Sequence, residues 1–207
     1  LNLPKDDKYG VGFVFMPRDG VEYDKALEIF SKTAKKEALK IIGWREVPID
    51  KSVLGRQALA ACPVMMQVFI EAEDKKIDGD SFERKLYLFR RLDEKASIEN
   101  LKPDGIYIPS LSSRTIIYKG LLLAAQISGF YPDLSETDLA SAFALVHQRY
   151  STNTFPAWPL AQPFRFLAHN GEINTLRGNI NQMKAREKTI KSDIYGEKIK
   201  DIIPVIQ

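Results

Sequence analysis

Residues 147–175 read "HQRYSTNTFPAWPLAQPFRFLAHNGEINT". This stretch holds both histidines of the chain, two arginines and the Asn170-Gly171 pair, set between an apolar run and a helical pattern. The segment running into it, "SAFALVHQRY" (141–150), and "FRFLAHN" (164–170) within it alternate or cluster apolar groups as strands do, and they flank a proline-containing loop over residues 152–163. Beyond Gly171, "EINTLRGNINQMKAREKTIK" spaces Ile173, Leu176, Ile180 and Met183 by three or four, which predicts a helix. Two strands followed by a helix, with polar groups at the junctions, is the pattern to be placed in the rest of the chain.

Working outward, "YGVGFVFMPRDG" predicts a strand closed by a turn, and residues 21–42 carry apolar groups at helical spacing up to the Gly43 stop. "WREVPI" and "VMMQVFIEA" read as strands, and "SFERKLYLFRRLDEKAS" as a helix with Phe82, Leu86, Phe89 and Leu92 near one face and Ser81 at its cap. "IYIPS" and "RTIIYK" follow as short strands. "LLLAAQISGF" then predicts an apolar helix ending at Tyr131-Pro132-Asp133. Strands and helices mixed without strict alternation favour an α+β layered domain. No repeat, low-complexity tract or linker divides the chain, so residues 1–207 read as a single domain.

Composition narrows the function. Thirty basic against 27 acidic residues leave a net charge of +3, spread in short pairs, which argues against nucleic acid as a partner. One cysteine, Cys62, cannot form an internal disulfide, in keeping with a reducing, cytoplasmic location. No run approaches the roughly 18 apolar residues of a membrane span. "DIIPVIQ" ends in an apolar run, as a chain cut inside a larger fold would.

Asn170-Gly171 has two readings. The pair is commonly a tight turn, because both residues tolerate positive φ. A hairpin needs a second strand directly afterwards, whereas the next residues have a helical period. A strand turning into a helix there leaves backbone N–H groups unpaired near the positive end of a helix dipole. With the Asn side-chain amide beside them, the result is an oxyanion hole. Arg149 is either a solvated strand-end arginine or a planar guanidinium that grips a substrate carboxylate through two parallel bonds, with Thr152 adding a hydroxyl. His147 and His169 lack a closely spaced third ligand, so no metal is expected. Cys62 has nothing nearby to lower its pKa and reads as core. "GVGF" lacks the third glycine and the helix of a dinucleotide fingerprint.

The motifs His147-Gln148-Arg149-Tyr150-Ser151-Thr152 and His169-Asn170-Gly171-Glu172 closely resemble the class II glutamine amidotransferase domain of glutamate synthases, within the N-terminal-nucleophile hydrolases. "FMPRD", "GWREVPID", "LYLFRR", "SLSSRTIIYKG" and "FYPDL" occur in the order that family shows. The resemblance implies a four-layer αββα sandwich, here incomplete at both ends, so that residues 1–207 form the central part of one such domain. It implies L-glutamine as substrate and an N-terminal cysteine as nucleophile. Asn170 and Gly171 would hold the oxyanion, Arg149 would hold the α-carboxylate, and Thr152 would assist substrate binding. His169 and Glu172 look like supports for the loop. No cofactor is implied in this domain; FMN and an iron–sulfur cluster are implied in the remaining synthase domains, which would receive the ammonia and form glutamate from 2-oxoglutarate.

This sequence begins at Leu1, and Tyr9-Gly10-Val11-Gly12-Phe13 only imitates the family's start, since a later family strand follows it directly. Asp193 stands too early to match the aspartate that grips the substrate amino group. The expectation is a chain that contributes pocket groups but is inactive alone. The alternatives are a non-catalytic glutamine-binding or regulatory module that lost the nucleophile, and a purely structural part of an enzyme assembly.

Overall fold

A computed structural model describes residues 1–5, 8–103, 105–148, 154–172 and 174–206. The chain divides into two compact units, Leu1–Asn170 and Gly171–Gln207. The first contains β1 (Tyr9–Met16), α1 (Gly20–Lys36), β2 (Leu39–Glu46), α2 (Arg56–Ala61), β3 (Val64–Ala72), α3 (Gly79–Asn100), β4 (Tyr107–Ser112) and the single turn α4 (Ile127–Phe130). The second contains α5 (Leu176–Glu187) and the short α6 (Ile199–Ile202). The four strands form an antiparallel sheet in the order β2-β3-β1-β4, so the expected α+β class holds.

The two-residue period of β1 decides what lies on each side of that sheet. Val14 and Met16 face the helices, joining Val68 and Ile70 of β3, Phe30 of α1, and Leu86 and Phe89 of α3 in one buried cluster. Phe13, Phe15 and Met65 point the other way, into a second cluster with Phe130, Tyr131 and Trp158. That second face is dense in aromatic edges, with Phe13–Tyr131 centroids 5.9 Å apart and Phe130–Tyr131 centroids 4.6 Å apart, both near perpendicular. Gly10 lies under α3: a Cβ there would stand 2.5 Å from Leu86 Cδ1. Gly10 is therefore a packing notch for a helix, whereas a Cβ at Gly12 would stand 2.6 Å from Val68 Cγ1 of the neighbouring strand.

Several expected elements are corrected. The helix over residues 21–42 stops at Lys36, because the chain reverses at Ala38 (φ 49°) and Leu39 onward pairs with β3. Its start is as the "PRDG" turn foretold, with the Asp19 carboxylate accepting from Glu22 N at 3.1 Å. "RTIIYK" is not a strand. Its backbone donors are taken by side chains: Ser112 Oγ accepts from Arg114 N at 3.0 Å and Ser110 Oγ from Ile117 N at 3.0 Å. "LLLAAQISGF" yields only a short 3₁₀ turn and α4: Leu121 and Leu122 pack against the aromatic cluster, Leu123 is exposed, and the backbone does not close a long helix. Among the described residues, "SAFALVHQRY" forms no strand and "FRFLAHN" forms only an isolated Phe164–Leu167 bridge. Apolar alternation makes a strand only when another strand supplies its ladder, and the described sheet does not extend to these residues.

One buried charge has a measurable consequence. Asp93 of α3 is fully buried, and burial, reinforced by the neighbouring Glu94, raises its carboxyl well above the usual range. The Thr33 hydroxyl opposes the shift, although neither Asp93 oxygen has a partner in full hydrogen-bonding geometry among the described residues. A raised acid holds its proton in the folded state and releases it in the unfolded one, so it lowers stability as pH climbs above the unfolded value of 3.8. Asp93→Asn is expected to raise the melting temperature of the chain at pH 7, with the gain shrinking toward pH 4. Thermal unfolding at the two pH values checks this, and an equal difference at both contradicts it.

Candidate active site

The loop that carries the expected site residues is fastened to the aromatic face of the sheet at successive points. Trp158 is buried against Phe15 (centroids 6.1 Å) and Phe130 (5.6 Å), and its indole N–H donates to Ala58 O at 3.1 Å. Its ring lies so close to Gly120 that any Cβ there would stand 2.3 Å from it. Next along, the Lys119 ammonium donates to Pro159 O at 2.8 Å, Ala161 O at 2.7 Å and Tyr107 OH at 3.0 Å. A lysine that is 2% exposed and has no carboxylate among those partners is costly to charge. Burial, with a smaller push from Arg165, brings it down to about 7.

Gln162 then closes a loop. Its Nε2 donates to His169 O at 2.9 Å while its Oε1 accepts from His169 N at 2.8 Å, so one side chain satisfies both backbone groups of the residue before Asn170. Between them, Phe164 and Leu167 exchange backbone bonds at 2.7 and 2.8 Å around Arg165, which sits at φ 50°. The Arg165 guanidinium ties this turn to α3 through Glu94 Oε1 at 2.8 Å, a carboxylate that also accepts from Arg90 at 2.8 Å.

A second set of polar groups braces the same face. Arg45 forks onto Asp133 (2.8 and 2.6 Å), Tyr118 donates to Asp133 at 2.9 Å, and Gln67 donates to Tyr118 at 3.0 Å. The arginine holds the Asp133 carboxyl below its usual range, while burial and the Asp133 charge push the Tyr118 phenol up to about 12. These bonds join the "GWREVPID", "SLSSRTIIYKG" and "FYPDL" stretches in space, beside the residue that precedes Lys119.

Asn170 ends the first compact unit and is exposed, with its Oδ1 2.8 Å from His147 Nε2. The structure thus brings His147 to Asn170, a pairing that sequence reasoning missed because 23 residues separate them. Gly171 opens the second unit and is exposed. Within that unit α5 begins at Leu176, after Thr175 at φ 57°, so the helix does not start at Gly171 as expected. A helix dipole acts over about its first turn, which removes it as a source of field at the pair. Arg149 and Thr152 lie outside the described residues. At His169 it is the backbone that is held, by the Gln162 side chain. Cys62 is buried and burial raises its thiol, the opposite of what a nucleophile requires. Among the described residues no group of three His, Cys, Asp or Glu side chains could hold a metal ion, and no helix is long and apolar enough to cross a membrane. Lys119 and Gln162 were also missed. The one available signal was a lone lysine inside the apolar run "TIIYKGLLL".

The arrangement in the first unit is a braced loop that presents the Asn170 side chain to solvent. Comparison with known proteins agrees with the motifs. The sequence is 46% identical over 207 residues to the glutamate synthase [NADPH] large chain of Bacillus subtilis, covering 100% of this chain and 13% of that protein. It is 46% identical over 205 residues to the corresponding large chain of Azospirillum brasilense (97% and 13%). It is 45% identical over 195 residues to the chloroplastic ferredoxin-dependent glutamate synthase of Oryza sativa (94% and 12%). The chain thus spans about an eighth of the length of these relatives. The sequence model of the class-II glutamine amidotransferases matches residues 1–207, the whole of the chain, which therefore belongs to that family.

Proposed function

We propose that the chain is the glutamine-hydrolysing part of a glutamate synthase, releasing ammonia from L-glutamine for use by other domains of a longer protein. What carries the reading is the family match over the full chain together with the braced presentation of Asn170 ahead of Gly171. In this reading a cysteine thiolate attacks the side-chain carbonyl of glutamine, the carbonyl oxygen becomes an oxyanion, and ammonia departs on protonation. Water then cleaves the thioester to give glutamate. The Asn170 Nδ2 and the Gly171 N–H donate to the oxyanion, Arg149 forks onto the α-carboxylate, and Thr152 adds a hydroxyl to the same substrate. The buried, raised Cys62 is unsuited to the attack, so the reading assigns the nucleophile to an N-terminal cysteine outside these 207 residues.

The described sheet is, in the same reading, one of the two in a four-layer αββα sandwich. Supporting this are the exposed apolar side chains of Phe143 (78%), Val146 (78%) and Phe166 (80%), in the stretches whose pattern suits a second sheet. An iron–sulfur cluster normally takes about four thiolates. The chain has one cysteine, so in this reading a cluster belongs to other parts of the longer protein, where FMN is proposed as well.

Arg149 provides the test. Arg149→Ala in the full-length protein is expected to weaken glutamine binding about 10²-fold, the cost of roughly 3 kcal/mol for stripping the partner from a carboxylate. Calorimetric titration with glutamine measures it, and unchanged affinity contradicts the assignment.

A further inference from the structure

An asparagine amide is ambiguous by half a turn. Rotation about its last bond exchanges a two-proton donor for an acceptor of nearly the same shape, and in solvent the two orientations differ little in energy. For an oxyanion donor the difference decides everything, because a carbonyl oxygen aimed at a developing negative charge repels it. Asn170 is exposed, so packing does not select one orientation. A hydrogen bond does: His147 Nε2 lies 2.8 Å from Asn170 Oδ1. With the proton on Nε2, as in one neutral tautomer and in the imidazolium, the ring donates to the amide oxygen and leaves Nδ2 on the opposite side of the group.

The backbone on the Asn170 side is fixed independently. Gln162 holds both the N–H and the C=O of His169, and Arg165 fastens the intervening turn to Glu94. Main-chain position and amide orientation are therefore set by different residues, Gln162 for the first and His147 for the second. We propose that His147 is a positioning residue of the glutaminase reaction, whose imidazole locks the Asn170 amide with its Nδ2 donors toward the reacting oxygen. This deepens the assignment of Asn170 as an oxyanion donor and rests on it. His147 touches no reacting atom in this scheme, and it acts on the reaction through Asn170.

The test is a double-mutant cycle in the full-length protein, with kcat and KM for glutamine hydrolysis measured for His147→Ala, Asn170→Ala, the double variant and His147→Gln. Losing an oxyanion donor costs about 10²–10³-fold in kcat, so loosening its orientation is expected to cost roughly 10–10²-fold, with KM within about twofold of the parent. His147→Gln, whose amide can also donate to Oδ1, is expected to recover most of that loss. The double variant is expected to be no slower than Asn170→Ala, whereas a merely structural histidine would slow it further. His147→Phe, a ring of similar size without a donor, gives the same comparison should the alanine variant not fold. Parent-like kcat in His147→Ala, an effect on KM alone, or multiplicative losses in the double variant each overturn the proposal while leaving Asn170 in its role, provided Asn170→Ala is itself slow. A fast Asn170→Ala variant overturns both.

Discussion

Asn170→Ala in the full-length protein is expected to lower kcat for glutamine hydrolysis about 10²–10³-fold and to leave KM within about threefold, if Asn170 is the oxyanion donor proposed above. The asymmetry follows from where charge appears. The carbonyl oxygen of bound glutamine is neutral and accepts only an ordinary hydrogen bond, so removing Nδ2 changes ground-state binding little. In the tetrahedral intermediate the same oxygen carries a full negative charge, and the missing donor is felt there alone. Gly171 N–H remains in the variant, which sets a floor under the loss. Steady-state kinetics of ammonia release check the prediction, and a rise in KM with unchanged kcat would mean that Asn170 merely binds substrate.

Trp158→Ala carries the second large effect, an expected loss of about 3–5 kcal/mol in unfolding free energy. Trp158 is 3% exposed and sits among Phe15, Phe130 and the bare backbone of Gly120, so truncation opens a cavity that rigid aromatic neighbours cannot collapse into. It also forfeits the indole bond to Ala58 O. The consequence reaches the site because residues 157–161 are the root of the loop that ends at Asn170. With Trp158 gone, the carbonyls of Pro159 and Ala161 lose the packing that holds them over the Lys119 ammonium. Denaturant unfolding with an unchanged slope is the measurement, and a loss below about 1 kcal/mol would show that Lys119 alone anchors the loop.

The sheet and its helical face were legible because each element carries its own period. In β1 the alternation of Phe13 and Phe15 against Val14 and Met16 maps directly onto the two buried clusters. Phe82, Leu86 and Phe89 likewise mark the buried face of α3. Boundaries were less legible. Nothing in the letters around Ala38 announces a left-handed residue, so the helical period of α1 read on into β2. The strand pattern of residues 141–150 and 164–170 rests on side-chain alternation, but strand formation depends on a neighbouring ladder, a non-local condition that alternation does not encode. At the site, Asn170 and Gly171 were singled out from a local junction, and the supposed helix dipole beside them is displaced by the later start of α5. The contacts that set Asn170 in place, from His147, Gln162 and Lys119, join residues distant in sequence or separated by a loop, where composition and spacing carry no signal.

In the proposed mechanism Arg149, Asn170 and Gly171 converge on one glutamine molecule. A crystal structure of the full-length protein after reaction with 6-diazo-5-oxo-L-norleucine, which attaches covalently to the attacking thiolate, would reveal that convergence. The expected result is the ligand's α-carboxylate in the fork of Arg149, and its carbonyl oxygen within hydrogen-bonding distance of both Asn170 Nδ2 and Gly171 N. A ligand whose carboxylate meets another residue, or whose carbonyl oxygen lies away from that pair, contradicts it.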